Sequence, residues 1–322
     1  MKIILIHPLP SRTNARANQL AKYLAKRGNE VHLILWDVPY PMRLFFKNFF
    51  KSMKYEKYKQ EGVIIHKVRR IPFFFPLINK PLFRKQIKNI FFENKIDLII
   101  SQSYINETCP PFNLPFIYDL MDEHEEYAKQ YGSFLYKFSF KILQVSKAVK
   151  EQTSRAKAVI VVSDMLKDYA NKFNKEVYKI PNGVESWVLN KDFRKIKYNF
   201  GKHSLVYVSG FDYYSQLPEL VCSISKIKKD IPDIKLVLVG DGYQVPIAKK
   251  LVEKLKLEDN VLFFGQIDDR EELFEIINSC KVCLNISEKN KIRDSASPIK
   301  VFEYSSLGKP IISTKLREVE LL

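Results

Sequence analysis

The chain has 322 residues, 46% of them hydrophobic and 28% charged, a composition that suits a folded globular protein and excludes a disordered one. That length exceeds one ordinary core and suits two domains. The formal net charge of +17 points to an anionic partner or surface, or simply to a lysine-rich proteome, without choosing among them.

The chain opens on "MKIILIHPLP". Its apolar run is too short for a signal peptide and breaks at His-Pro-Leu-Pro. No segment approaches the ~20 apolar residues of a membrane-spanning helix, so a soluble or peripheral protein is expected. Ile3–Ile6 reads as a strand buried on both faces. A helix over 14–27 follows, with Ala17, Leu20, Ala21 and Leu24 on one stripe and Gly28 as its end. "EVHLILW" is the next strand, so the order is βαβ and the sheet parallel. Residues 41–59 place Met42, Phe45, Phe46, Phe49, Phe50 and Met53 at helical spacing with Arg43, Lys47, Lys51 and Lys54 around them. This reads as a core-packing helix with a basic face, or as an amphipathic helix for an anionic membrane surface.

"GVIIHKV" is a strand, 80–93 a helix, and "IDLIIS" and "PFIYDL" strands. His32 and His66 fall inside strands and read as structural, whereas His7, at the end of the first strand, is placed for a cleft role. A long helical region spans 122–157, with a break near Gly132. "AVIVVS" is a strand, 164–173 a helix and "EVYKI" a strand. Residues 185–203 lose periodicity and read as a linker between a first domain, 1–184, and a second, 204–322. The second run alternates again: "SLVYVS", a helix over 215–229, "IKLVLVG", a helix over 245–255, "NVLFFG", a helix over 270–280, "KVCLNIS", a helix in "SPIKVFEYSSLG" and "PIIST". Cys280 and Cys283 lack a second pair or a well-spaced histidine, so buried thiols are expected there rather than a zinc site, in keeping with a reducing compartment. The fold class is therefore α/β, two tandem doubly wound domains. Ligands of such sheets bind beyond the carboxyl ends of the strands, with the central cleft between the domains as the default site.

The succession "KIPNGVE", "LVYVSG", "KLVLVGDGY", "NVLFFGQIDDREELFEIINSCKVCLNIS" and "SPIKVFEYSSLGKPIIST" resembles the retaining glycosyltransferases of family four, with their two-Rossmann (GT-B) architecture. The first half fits by topology, and "IYDLMDE" is similar to a stretch of some members. The resemblance implies transfer of a sugar from a nucleotide-sugar donor, UDP- or GDP-linked, to an acceptor hydroxyl with retention. It implies no metal and no further cofactor. Surface polysaccharide or glycolipid synthesis is the expected setting, in the cytoplasm or at the inner face of the membrane, with a saccharide or lipid-linked acceptor.

Within that resemblance, Ser297 is an expected N-cap and Pro298 a first-turn residue. The helix N-terminus and Lys300 then suit a diphosphate. Glu303 suits the two ribose hydroxyls, the alternative being a solvated helix glutamate. Gly210, Gly240, Gly242 and Gly265 follow strands where backbone can approach a nucleotide closely. The family's Arg and Lys after Gly210 are missing from "SGFDYYSQLPEL", and Lys291, Arg293 or Lys300 are the candidate substitutes. A family glutamate near the donor sugar is replaced by Ser295, with Asp294 beside it. Asp119, Asp122 and His124 follow a strand and are candidates to orient the acceptor or take its proton. Acids in "DEHEE" also suit a helix start. The usual Gly-Gly after the first strand is replaced by "PSRTNARAN", and the chain stops soon after "PIIST", where the family adds crossover helices. Two further readings stay open: a nucleotide-sugar-binding protein that has lost catalysis and, more distantly, a basic nucleic-acid-binding protein, although no nucleic-acid motif is present.

Overall fold

The computed structural model describes residues 1–7, 15–35, 55–69, 76–124, 126, 144–193, 197–212 and 214–321. The aromatic-basic positions 42–54, Glu125 and the region of Gly132 lie outside the described residues. The chain divides into two units, Met1–Pro181 and Asn182–Leu322.

The first unit is built on an eight-stranded sheet in the order β3-β4-β2-β1-β5-β6-β7-β8. Its strands are β1 (Lys2–His7), β2 (Glu30–Leu35), β3 (Glu56–Gln60), β4 (Val63–Lys67), β5 (Leu98–Ser101), β6 (Phe116–Leu120), β7 (Ala158–Val161) and β8 (Val177–Lys179). All pairs are parallel except β3 with β4. Successive side chains of a strand point to opposite faces. In β1, Ile4 and Ile6 enter one apolar core while Ile3 and Leu5 enter another. Helix α1 (Ala15–Lys26) covers the second face through Ala17 and Ala21. Helices α2 (Pro76–Glu93), α3 (Val145–Arg155) and α4 (Asp164–Ala170) cover the first. Gly28 ends α1 at φ +83° with Asn29 N–H returning to Leu24 O, as its position in the sequence implies.

One expected element is corrected. The end of the 41–59 helix, from Glu56, is the strand β3. Glu61 and Gly62 both have positive φ, and Gln60 pairs with Val63, so a two-residue turn joins β3 to β4 as a hairpin. The turn geometry overrides the helical spacing.

The second unit carries a parallel five-stranded sheet, β11-β10-β9-β12-β13. Its strands are β9 (Ser204–Val208), β10 (Lys235–Val239), β11 (Val261–Gly265), β12 (Val282–Asn285) and β13 (Ile311–Ser313). Leu236 and Leu238 of β10 face one core, Val237 and Val239 the other. Both faces are thus covered, as a parallel sheet requires. The helices are α5 (Ser186–Asn190), α6 (Leu217–Ile227), α7 (Val245–Leu255), α8 (Arg270–Ser279), α9 (Lys291–Ser295) and α10 (Ile299–Ser306). The segment read as a linker lies on this unit. It forms α5, buries Val188, and sets Trp187 edge-on to Phe274. Cys280 and Cys283 are fully buried, and burial pushes both thiols up to about 12. Among the described residues no group of His, Cys, Asp and Glu is placed to hold a metal, and no described helix is long and apolar enough to cross a membrane.

Inside the first sheet, His32 and His66 stack with ring centroids 5.0 Å apart. His32 Nδ1 lies 2.8 Å from His66 Nε2, and Tyr55 Oη lies 2.6 Å from His66 Nδ1. His32 Nε2 meets Glu30 Oε1 at 3.0 Å. Burial holds both rings below the ordinary imidazole value, and His66 falls to about 3. Below pH 6.5 the unfolded chain therefore binds protons that the folded chain refuses. Stability should fall as the pH drops from 6.5 towards 3, by about 2–3 kcal/mol for His66 alone at pH 4.5. Urea unfolding midpoints measured between pH 7.5 and 4.5 check this, and His66→Leu should flatten the profile.

Candidate functional site

The carboxyl ends of β9 and β12 frame a pocket of about 190 Å³ in the second unit. Ser209 and Gly210 line it after β9, and Asn285 to Ser287 after β12. Arg293 of α9 and the first turn of α10, Pro298 and Lys300, complete its polar wall. Tyr304, fully buried, holds the two strands in place. Its hydroxyl accepts the Val208 N–H at 3.1 Å. Tyr207 donates its hydroxyl to Ile286 O and so ties the floor across the sheet.

Two cations stand in this pocket on aromatic faces. The Arg293 guanidinium lies 3.3 Å over the Tyr214 ring, and Lys300 Nζ lies 4.7 Å from the Tyr207 centroid. The buried Nε of Arg293 finds no acceptor among the described residues. Lys300 is lowered to about 7, by burial first and then by the neighbouring Arg293, against the pull of Glu303. Burial also raises the nearby Asp212 carboxyl, with Arg293 opposing. The residues suggested as substitutes for the missing clamp thus separate. Arg293 and Lys300 line the pocket, and Lys291, exposed, does not.

The glycines play unequal parts. A Cβ on Gly240 would stand 1.9 Å from Ser209 O, and one on Gly242 2.4 Å from Gly210 O. Both also have positive φ, +127° and +154°. Their bareness is demanded by the loop carrying Gly210, which packs directly on them, and so needs no nucleotide to explain it. Gly265, at φ +69°, accepts the Gly240 N–H and has open space where its Cβ would stand. Gly210 is exposed and lines the pocket itself.

Ser297 is corrected as an N-cap. The cap position of α10 is Pro298, with no side-chain capping bond. The Ser297 hydroxyl instead accepts the Asn182 N–H at 3.2 Å, and its carbonyl accepts Asn182 Nδ2 at 2.7 Å. Ser295 is buried and bonds back to Ile292 O, closing α9. Asp294 accepts the Arg317 N–H at 3.1 Å, so its carboxylate anchors the segment after β13. Gly308 ends α10 as its position implies, at φ +63°, with Lys309 N–H reaching Tyr304 O.

Glu303 is 4% exposed, so the solvated alternative does not hold. Its Oε1 meets Arg270 Nη2 at 2.6 Å, and Arg270 also binds Glu185 through Nη2 at 2.7 Å and Nε at 3.0 Å. Sequence reasoning missed Arg270, which lies 33 positions from Glu303. The only available signal was that a buried acid needs a cation.

In the first unit, Asp119 is the penultimate residue of β6 and its side chain is fully buried. Arg16 grips it through Nε and Nη2, both at 3.0 Å, and Gln102 donates Nε2 at 2.8 Å. Arg16 also donates to Ile180 O and Pro181 O. Asp119 is thus saturated by structural partners and is not placed as a base. Asp122 is exposed. His124 stacks on Tyr104 at 4.2 Å and 18°. Burial lowers its imidazole below the ordinary value, with Asp122 opposing, so the ring is neutral near pH 7. His7 is held down to about 4 by burial, with Gln102 opposing.

The family model for Glycosyltransferase Family 4 matches residues 14–186, more than half of the chain. The chain belongs to that family. The model for glycosyl transferases group 1 matches residues 190–320. N-acetyl-alpha-D-glucosaminyl L-malate synthase of Bacillus anthracis is 22% identical over 326 residues, 97% of this chain and 78% of that protein. Alpha-monoglucosyldiacylglycerol synthase of Streptococcus pneumoniae is 28% identical over 121 residues, 34% of this chain and 27% of its own. Among solved structures, Anabaena HepE in complex with UDP superposes with a TM-score of 0.64 at 17% identity, covering 100% of this chain and 83% of its own. WaaG, a glycosyltransferase involved in lipopolysaccharide biosynthesis, gives 0.66 at 15%, covering 99% and 83%. The fold of this family member is that of the GT-B nucleotide-sugar transferases, two Rossmann-like units.

Removing one partner of a buried ion pair leaves an uncompensated charge. Arg16→Met should therefore destabilise this glycosyltransferase by about 3 kcal/mol, read from urea unfolding. Asp122→Asn, at an exposed side chain, should leave the midpoint unchanged.

Proposed function

We propose that this glycosyltransferase transfers a sugar from a nucleotide-sugar donor with retention, the donor diphosphate lying in the pocket between Gly210, Arg293 and Lys300. The observation that carries this reading is the pair of cations set on the Tyr207 and Tyr214 rings beside an exposed glycine. The pair supplies the positive charge that "SGFDYYSQLPEL" lacks. Gly210 lets the diphosphate come close to backbone, and Glu303 takes the ribose hydroxyls. Ser295 and Ser297 shape the turn into α10, and Asp294 ties it to the segment after β13; the donor sugar lies towards this turn. Anabaena HepE, which shares the fold, is solved with UDP and with UDP and glucose, so UDP-glucose is the first donor to test.

The chemistry follows from charge. The bond between C1 and the diphosphate oxygen breaks, and the electron pair leaves with the diphosphate, where Arg293 and Lys300 stabilise the charge that develops. The acceptor oxygen forms the new bond on the same face of the sugar. A hydroxyl arriving on that face lies beside the departing phosphate oxygen, which takes its proton. The neutral His124 ring, held on Tyr104, orients the acceptor. A saccharide or a lipid-linked hydroxyl is the acceptor class. The basic-aromatic residues of 41–59 would favour an anionic membrane surface at the inner face of the membrane.

Lys300 loses its proton near pH 7 in the free protein, and a diphosphate favours the ammonium form. Binding should therefore take up close to one proton at pH 8.5, and affinity should fall with rising pH, by up to ~10-fold per pH unit. UDP-glucose suits the measurement, because its diphosphate does not titrate in this range. Calorimetry in buffers of different ionisation enthalpy reads the uptake directly, and Lys300→Met should abolish the pH dependence. A flat affinity profile for the unaltered protein would remove Lys300 from the donor site. The anomeric coupling of the product by NMR tests retention, an inverted product being the contrary result.

A further inference from the structure

We propose that Arg270 is the positioning residue that fixes Glu303 to read the hydroxyls of a ribose, an inference that rests on the donor reading of Glu303 given above. Among the described residues, the helix that carries Glu303 gives its carboxylate no hydrogen bond of its own, and the partner comes from elsewhere. Glu303 sits in α10 among Val301 and Tyr304, both buried, and its side chain is 6% exposed. Arg270 comes from a different element and is itself fixed in three ways. Its backbone follows Asp269, whose carboxylate caps α8 by accepting the N–H groups of Glu271 and Glu272. Its guanidinium lies 5.1 Å over Phe274, one helical turn on. Glu185 holds both its Nε and its Nη2.

Glu185 is tied to α10 from the other side as well. Asn182, three residues earlier, bonds the Ser297 hydroxyl and carbonyl just before that helix. The segment 182–185 therefore fastens α10 at two points, once directly and once through Arg270. The helix cannot slide or turn without breaking one of them.

The consequence for recognition is specific. A carboxylate facing a guanidinium remains an acceptor only. Arg270 occupies one direction at Oε1. No described residue donates to Oε2, so Oε2 and the remaining lone pair of Oε1 can accept, with the carboxylate held by the bond at Oε1. Two adjacent hydroxyls can donate to such a pair, whereas a carboxylate free to rotate would have to be ordered first. Glu185, sharing the same guanidinium, disperses part of its charge, so Glu303 keeps enough negative character to attract donors.

The test compares UDP with 2′,3′-dideoxy-UDP by calorimetry. The unaltered protein should prefer UDP by about 10–100-fold, the worth of two hydrogen bonds to a charged acceptor. Arg270→Gln should reduce that preference to about 3-fold or less, and Arg270→Lys should restore part of it. Thermal melting controls for folding, and if the glutamine variant does not fold, the lysine variant carries the test through its intermediate preference. Equal weakening of both nucleotides by the Arg270 variants, with the preference intact, would make Arg270 merely structural and overturn the inference. Glu303→Gln separates the two levels. If the unaltered protein shows no preference, or binds neither nucleotide, or if Glu303→Gln keeps the preference, the ribose reading itself fails. If Glu303→Gln loses the preference while both Arg270 variants keep it, only the inference about Arg270 fails.

Discussion

A carboxylate taken out of water must meet a cation or give up its charge, and both units of this chain are organised around that constraint. In the first, Asp119, near the end of β6, draws Arg16 across from the start of α1. Arg16 in turn reaches the carbonyls of Ile180 and Pro181 beyond the last strand. In the second, Glu303 draws Arg270 from α8, and Arg270 draws Glu185 from the start of the unit. Each ion pair spans elements far apart in sequence and stands at the carboxyl side of its sheet, where the loops gather. Such pairs contribute little net stability against an apolar replacement. Their effect is geometric: the first ties α1 to β6, and the second ties α8 to α10 and to the residue before α5.

This explains what could be read from the sequence and what could not. The parallel strands at the centres of both sheets declare themselves as short apolar runs, because a parallel sheet is covered on both faces; the polar, antiparallel edge strand β3 does not. Gly28 and Gly308 mark their helix ends because only a left-handed residue closes the turn there. The hairpin at Glu61–Gly62 was hidden because Phe49, Phe50 and Met53 continue a helical spacing right up to the residues that pair instead. Short α9, Lys291–Ser295, carries too few residues to show a period, and its cap is Asn290, a residue common in any loop. The acidic candidates were visible as residue types. Their partners were not, since Arg16 lies 103 positions from Asp119 and Arg270 lies 85 from Glu185.

The glycines make the same point from the other side. Gly240 and Gly242 sit where a nucleotide-binding loop would carry them, and the sequence offers that reason. The packing offers a nearer one. The backbone of Ser209 to Phe211 occupies the space their side chains would need. Whatever the two glycines would give the proposed donor is therefore indirect. By letting one loop settle on the other, they set the height of Gly210, which lines the pocket and where a Cβ would make only ordinary contact with Asp212 Oδ2, at 3.8 Å. A residue can thus match a motif and serve it at one remove.

The departure at the diphosphate clamp then has a physical reading. Cations at the usual place would follow Gly210 in the loop. Here that loop carries Phe211, buried in the core, and Asp212, while the positive charge arrives from α9 and α10 on the far wall. Arg293 and Lys300 face each other as like charges, which is unfavourable until an anion lies near them. The pocket answers with the negative faces of Tyr207 and Tyr214 and with a lysine whose proton is loosely held. With Lys300 lowered to about 7, the pocket relieves that repulsion by shedding part of its charge near neutral pH, and on the donor reading proposed above a diphosphate would favour the charged form again. On that reading the charge of the pocket is coupled to its occupancy, which the charge of a permanently cationic clamp is not.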